Sequence, residues 1–167
     1  ETIGRYLRTG TIPLGRPASP GTERVQGVFV TLRKGGALRG CIGQMVPTTP
    51  LRQLVGAMAL AAAFEDRRFD KVRENELRNI EIEISLLTPF REVPSAAMIV
   101  PGRDGVLLQK GRSSAVFLPQ VATEEGWGRD EMLDRLCEKA GLSAGCWRRG
   151  AKLSTFRAEV FKESEYR

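Results

Sequence analysis

Two glycines, Gly40 and Gly43, interrupt a segment that otherwise has the pattern of a β-strand, and they limit how this chain can fold. The apolar alternation at 28–32 predicts a first strand, a Gly-Gly turn follows, and 38–46 predicts its hairpin partner. A glycine inside a strand costs about 0.5–1 kcal/mol relative to alanine. We therefore expect a β-bulge at this point, or the close approach of another backbone or of a ligand.

Strict alternation along the second strand places Arg39 and Cys41 on one surface, beside the space that the glycines leave. A thiol next to a guanidinium ionises more readily, which makes Cys41 a candidate catalytic nucleophile or thiol ligand. The alternative is that Cys41 is a small packed residue in a tight strand, since unpaired cysteine is among the most buried residue types. The sequence leaves both alternatives open.

The chain contains no histidine, which excludes several classes of active site within one subunit. Without an imidazole, one chain forms no Ser-His-Asp triad, no Cys-His dyad and no His-ligated metal centre. The three cysteines show no CxxC spacing, so we expect neither a disulfide framework nor a structural zinc site. We therefore predict a reducing, cytoplasmic environment, with no metal and no cofactor.

The hydropathy of the chain excludes a membrane-spanning helix, and its charge is only weak evidence for nucleic-acid binding. No apolar run approaches the roughly 20 residues that a membrane helix needs. The net charge of +6 makes nucleic-acid binding an alternative function. The basic residues are scattered, however, and no recognition helix, zinc-finger spacing or aromatic RNA-binding motif accompanies them.

Helical and strand periodicities alternate through the rest of the chain. Helices are predicted at 2–7, 51–64 and 129–140, strands at 28–32, 38–46, 80–86, 105–108, 115–118 and 153–161, and an irregular loop at 11–23. The order hairpin, helix, strand occurs twice, which is compatible with an internal duplication or with chance. The 167 residues predict one domain, with two lobes at about 1–92 and 93–167.

Two arginines, Arg39 and Arg68, are candidates for binding a carboxylate or phosphate of a ligand, because a guanidinium matches both groups with two parallel hydrogen bonds. The alternative is an ion pair inside the protein, for which Asp66 and Glu65 are the nearest candidates in sequence.

Six segments spread along the chain resemble the AMMECR-type domain family, named for the Alport syndrome, mental retardation, midface hypoplasia and elliptocytosis region. They lie at 38–43 (LRGCIG), 61–69, 80–87, 101–105, 117–121 and 152–153. The resemblance implies an α+β fold in which two hairpin-helix-strand repeats form a barrel-like, mostly antiparallel sheet flanked by helices. One departure is Arg67, where relatives often carry proline.

The resemblance leaves the activity unsettled, but it implies a functional surface around one strand and one loop. The binding residues that we expect are Leu38, Arg39, Gly40, Ile42, Gly43, Asp66 and Arg68. Relatives look like component A of the AmmeMemoRadiSam system, alongside a Memo-like protein and a radical SAM protein. We favour a binding or accessory module for a small anionic ligand or for such a partner; the alternative is an enzyme, or enzyme subunit, with Cys41 as nucleophile.

Overall fold

A computed structural model describes residues 1–11 and 22–166 of the chain. These residues form two compact units, one containing Glu1–Leu87 and Glu159–Arg167 and the other containing Thr88–Ala158. The chain therefore enters the second unit after Leu87, whereas the sequence analysis places the lobe boundary near residue 92. Most of the irregular loop predicted at 11–23 lies outside the described residues.

The described residues contain four α-helices and eight strands. The helices are α1 (Thr2–Thr9), α2 (Leu51–Phe64), α3 (Pro119–Glu125) and α4 (Arg129–Lys139). The strands are β1 (Val28–Lys34), β2 (Ala37–Gln44), β3 (Ile80–Leu87), β4 (Arg91–Glu92), β5 (Gly105–Lys110), β6 (Ser113–Phe117), β7 (Lys152–Phe156) and β8 (Ala158–Lys162). Short 3₁₀ helices lie at Glu74–Asn79, Ala96–Met98, Cys146–Arg148 and Glu163–Tyr166. No helix among these residues is long and apolar enough to span a lipid bilayer.

The first unit is built on a four-stranded sheet of order β2-β1-β3-β8. The central strand β1 runs antiparallel to both β2 and β3. Val28, Val30 and Leu32 alternate along β1 and are fully buried, because every second side chain of a strand points to the same face. The alanine-rich second half of α2, at 59–63, is buried and joins this core, and its small side chains let the helix lie close to the sheet.

The second unit is built on a four-stranded sheet of order β4-β7-β5-β6. Its strand β5 runs antiparallel to both β6 and β7. Helix α4 buries the apolar stripe that its periodicity predicts, namely Met132, Leu133, Leu136 and Cys137. This stripe packs in one core with Val106 and Leu108 of β5.

The predicted α+β class, the two hairpins and the three longer helical segments are confirmed. The barrel-like sheet is not confirmed, because the strands of the described residues form two four-stranded sheets and no closed barrel. The single strand predicted at 153–161 is wrong: it ends before Arg157, and its two parts, β7 and β8, belong to different sheets. Helix α3 was not predicted, although Pro119 at its first turn is a common helix start.

Cys137 and Cys146 form a disulfide, contrary to the expectation from the cysteine count. Their Cα atoms lie 5.8 Å apart, because the turn after α4 returns the chain alongside the end of the helix. Only Cys41 is then a free cysteine. The prediction of a reducing compartment rested on the absence of disulfides, so this argument for a cytoplasmic location no longer holds.

Packing inside the first unit explains the two glycines of β2. A Cβ atom at Gly40 would collide with the carbonyl oxygen of Ala62 in α2, and one at Gly43 would collide with the ring of Phe29. The pairing of β1 with β2 shifts by one residue and leaves Arg39 as the extra residue of a β-bulge. The expected bulge and the close approach of another backbone are both confirmed, and the space at these glycines is taken by the protein itself.

We predict that Gly40→Ala lowers the free energy of unfolding by about 3 kcal/mol, because the added methyl group would force α2 away from β2. Urea denaturation monitored by circular dichroism measures the loss. The matched control is Gly56→Ala within α2, where an added Cβ meets no atom within 4 Å. That change should raise the stability by about 0.5–1 kcal/mol, and similar losses in both variants would contradict the close packing at Gly40.

We predict that Cys146→Ser lowers the free energy of unfolding by about 2–3 kcal/mol under oxidising conditions, since the disulfide closes a loop with a sequence separation of 9. Adding a reductant should destabilise the wild type and leave this variant unchanged. The control is Cys41→Ser, which keeps the disulfide and should respond to reductant as the wild type does. A wild type that is insensitive to reductant would contradict a stabilising disulfide.

Candidate functional site

The side chain of Arg39 is held by Glu76, which lies on the 3₁₀ helix before β3. Its Nε donates to Oε1 of Glu76 at 3.1 Å and its Nη2 donates to Oε2 at 3.0 Å. Both side chains are only 14% exposed. Lys34 Nζ and the backbone N–H of Arg73 also donate to this carboxylate, at 2.9 and 3.0 Å. These donors, those of Arg39 foremost, lower the pKa of Glu76 to about 2.

A cavity of about 490 Å³ lies beside this carboxylate. Its wall carries the cationic side chains of Lys34, Arg39, Lys71 and Arg73, the carboxylates of Asp70 and Glu76, and the side chains of Phe69 and Asn75. The side chain of Lys71 is exposed and makes no hydrogen bond or ion pair with another described residue. Arg39 also keeps one buried nitrogen, Nη1, without a hydrogen-bond partner within 1–11 and 22–166.

Asp66 ties the loop after α2 to strand β2. Its buried carboxylate accepts the backbone N–H of Cys41 at 2.9 Å and that of Arg68 at 3.2 Å. The Arg68 guanidinium adds two hydrogen bonds, from Nε at 2.9 Å and from Nη2 at 2.7 Å. The bonds from Arg68 hold the pKa of Asp66 well below its usual range, and the same pair raises the pKa of Arg68. Of the two alternatives for Arg68, the internal ion pair is observed.

Cys41 lies opposite Thr31 in the β1–β2 pair, and its side chain is half-buried. The Thr31 hydroxyl donates to the sulfur at 3.2 Å, and Arg68 Nη2 donates to the Cys41 carbonyl oxygen at 3.3 Å. The bulge interrupts the strict alternation, and Arg39 lines the cavity whereas Cys41 does not. The two side chains therefore do not share one hollow, as the alternation alone had suggested.

The other expected site residues take different positions. Leu38 is 39% exposed, Gly40 is buried against α2, Ile42 packs on the core, and Gly43 lies under Phe29. Among the residues expected from the sequence, only Arg39 lines the cavity.

The sequence analysis missed the residue that organises this site, Glu76. It lies 37 positions from Arg39, and nothing in a single sequence links two charges at that separation. Lys71, which has no ion pair with another described residue, was missed as well, because its place in the cavity wall depends on how the loop after α2 folds. The described residues contain no group of three or more cysteine, aspartate or glutamate side chains that could hold a metal ion.

The model of the AMMECR1 family matches residues 1–161, which is nearly the whole chain. The chain belongs to the AMMECR1 family. A protein of Methanosarcina mazei is 36% identical over 99% of this AMMECR1 chain and 87% of its own length. Protein PF1979 of Pyrococcus furiosus is 40% identical over 98% of this chain and 83% of its own length.

A solved structure supports the fold of this AMMECR1-family chain. The crystal structure of the uncharacterised protein PH0010 from Pyrococcus horikoshii is similar with a TM-score of 0.88 and 37% sequence identity. The similarity covers 97% of this chain and 86% of the other.

We predict that acid removes the stabilisation that Glu76 provides. Its pKa is 4.5 ordinarily and about 2 in the folded protein, so the contribution is complete above pH 4.5 and is lost as the pH falls towards 2. Glu76→Gln should therefore lower the stability at pH 7 by about 2 kcal/mol. The difference between wild type and variant should shrink between pH 4.5 and 2, as urea denaturation at a series of pH values would show.

The matched control for that measurement is Glu74→Gln. Glu74 is exposed on the same 3₁₀ helix and has no ion pair with another described residue. Its substitution should change the stability by less than about 0.5 kcal/mol at every pH. If both variants showed the same pH dependence, the low pKa of Glu76 would be contradicted.

Proposed function

We propose that this AMMECR1-family chain is a binding module that takes a small carboxylate- or phosphate-bearing ligand in the cavity beside Glu76. The observation that carries the proposal is the lining of this cavity, with four cationic side chains against two carboxylates. Its volume of about 490 Å³ falls within the range that small-molecule sites usually have.

The charge balance inside the cavity favours an anion. Glu76 is already neutralised by its contacts with Lys34 and Arg39, and Asp70 remains as the second carboxylate of the wall. Lys71 and Arg73 add two further positive charges. Guanidinium and ammonium groups bind carboxylate and phosphate oxygens through short, charge-assisted hydrogen bonds.

Two further features support a small anionic ligand. Phe69 gives the wall an aromatic surface against which an apolar part of a ligand can pack. The net charge of +6 over the whole chain raises the local concentration of anions around the protein.

We also propose a Memo-like protein or a radical SAM protein as the partner. The partner rests on the sequence resemblance of the segments such as 38–43 and on nothing in the geometry. The anion site does not depend on it, since the cavity is formed by one unit of this chain alone.

An enzyme that uses Cys41 as nucleophile has less support. The group that hydrogen-bonds its sulfur is the hydroxyl of Thr31, and no lysine or carboxylate of the described residues does so. A nucleophilic cysteine needs a neighbouring base or a strong positive field, and the chain has no histidine. Cys41 also lies outside the wall of the basic cavity.

We predict that Lys71→Ala weakens anion binding about fivefold or more, because it removes one of the two exposed cations of the wall, Lys71 and Arg73, whose side chains have no ion pair within the described part of the chain. Inorganic phosphate and citrate, titrated by calorimetry at low ionic strength, are the probes. The free energy of unfolding should stay within about 0.5 kcal/mol of the wild type. Arg39→Ala is less suitable, because it also leaves Glu76 without its main partner.

The matched control is Arg67→Ala, which removes the same charge from a nearby exposed residue that does not line the cavity. It should change the affinity less than twofold, or about 0.4 kcal/mol. Absence of saturable binding in the wild type would overturn the proposal. So would an equal loss in the two variants, which would show a response to net charge rather than to this cavity.

A further inference from the structure

The second unit contains a cavity that resembles the cavity beside Glu76 in how it is built. Each cavity lies between the end of the first strand of a hairpin and the segment that precedes the third strand. In each unit the first strand of the hairpin ends in a lysine followed by a glycine turn, at Lys34 in β1 and at Lys110 in β5. In each unit this lysine reaches the segment just before the third strand. Lys34 binds Glu76 ahead of β3, and Lys110 binds the carbonyl oxygens of Cys146 and Arg149 ahead of β7.

The cavity of the second unit has a volume of about 470 Å³ and a purely cationic set of charges. Its wall carries Lys110, Arg148 and Arg149 together with residues 142–146, and no carboxylate side chain is part of it. The carboxylates that face Arg148 are those of Asp130 and Asp134, at 3.5 and 3.6 Å. Neither of them lines the cavity.

The positive charge of Lys110 is fixed in place without being neutralised. Its Nζ donates to the carbonyl oxygen of Cys146 at 3.1 Å and to that of Arg149 at 2.8 Å. In the first unit the corresponding lysine shares the carboxylate of Glu76 with Arg39, which offsets part of its charge. Because carbonyl groups orient an ammonium without removing its net charge, Lys110 stays available to attract an anion.

The segment that carries the two arginines is also held rigidly. Asp134 accepts the backbone N–H of Gly145 and the indole N–H of Trp147, both at 2.7 Å. The guanidinium of Arg148 stacks on the Trp147 ring at 4.2 Å, and the disulfide joins Cys146 to α4. A site whose groups are already ordered loses less conformational entropy when a ligand binds.

We propose that this cavity is a second anion site, which takes a phosphate or carboxylate group of a small molecule through Lys110, Arg148 and Arg149. The site is separate from the one beside Glu76, and it lies wholly within the second unit. The chain therefore binds two anionic groups, one in each unit.

Inorganic phosphate, titrated into ¹⁵N-labelled full-length chain at low ionic strength, tests the proposal site by site. The amide signals of residues 143–145 should shift saturably, independently of those of 71–75 beside Glu76. Arg149→Ala should weaken the response of 143–145 about fivefold or more and leave that of 71–75 unchanged. This variant keeps the backbone carbonyl that holds Lys110, so the cavity itself persists.

The matched control is Arg112→Ala in the same unit, an exposed arginine that lines no part of the cavity and has no ion pair with a described residue. It should change the affinity less than twofold. Equal losses in Arg149→Ala and Arg112→Ala would show that phosphate follows the overall charge, and they would overturn the second site.

The two sites fail independently in this experiment. Saturable shifts at 71–75 with none at 143–145 would overturn the second site and leave the first intact. Shifts at 143–145 that persist in Lys71→Ala would support the second site, whether or not phosphate binds beside Glu76. A single-stranded oligonucleotide can be tested as a competitor of phosphate. If it displaced phosphate, and if its affinity fell equally in Arg149→Ala and Arg112→Ala, the result would indicate a nucleic-acid surface and would overturn the small-molecule assignment.

Discussion

The contact between the backbones of β2 and α2 is the constraint on which the first unit depends. Because Gly40 has no side chain, the carbonyl group of Ala62 lies directly against the strand. This close approach of α2 places the residues after the helix next to β2, where Asp66 accepts a hydrogen bond from the backbone N–H of Cys41. The loop then continues past Lys71 and forms one wall of the basic cavity. The position of this cavity wall thus depends on a glycine.

Two carboxylates of the first unit, those of Asp66 and Glu76, have structural roles. Asp66 and Glu76 each accept several charge-assisted hydrogen bonds from within the protein, which is why both are strongly acidic. Neither has the proton affinity that a general acid or base needs near neutral pH. Lys71 and Lys110, which have no ion pair within the described residues, are therefore the groups on which the proposed anion binding depends.

The sequence predicts what depends on neighbouring residues and misses what depends on distant ones. Alternation and helical periodicity identify β1, β3, α2 and α4, and the glycines of β2 correctly predict a bulge. The partner of Arg39 is not predictable in this way, since Glu76 is distant in the chain. The pairing of Cys137 with Cys146 is missed because counting cysteines says nothing about how a turn folds back. The break at Arg157 is missed because alternation continues through it.

The strand order of the first unit has a consequence for synthesis on the ribosome. Strand β3 pairs with β1 on one side and with β8 on the other, and β8 is translated only after the second unit. Residues 88–158 form one continuous stretch, so they can assemble as soon as they emerge. The first unit, although it emerges earlier, keeps one edge of β3 without a strand partner until residues 158–162 have left the exit tunnel. During that interval nascent chains are exposed to edge-to-edge association through β3.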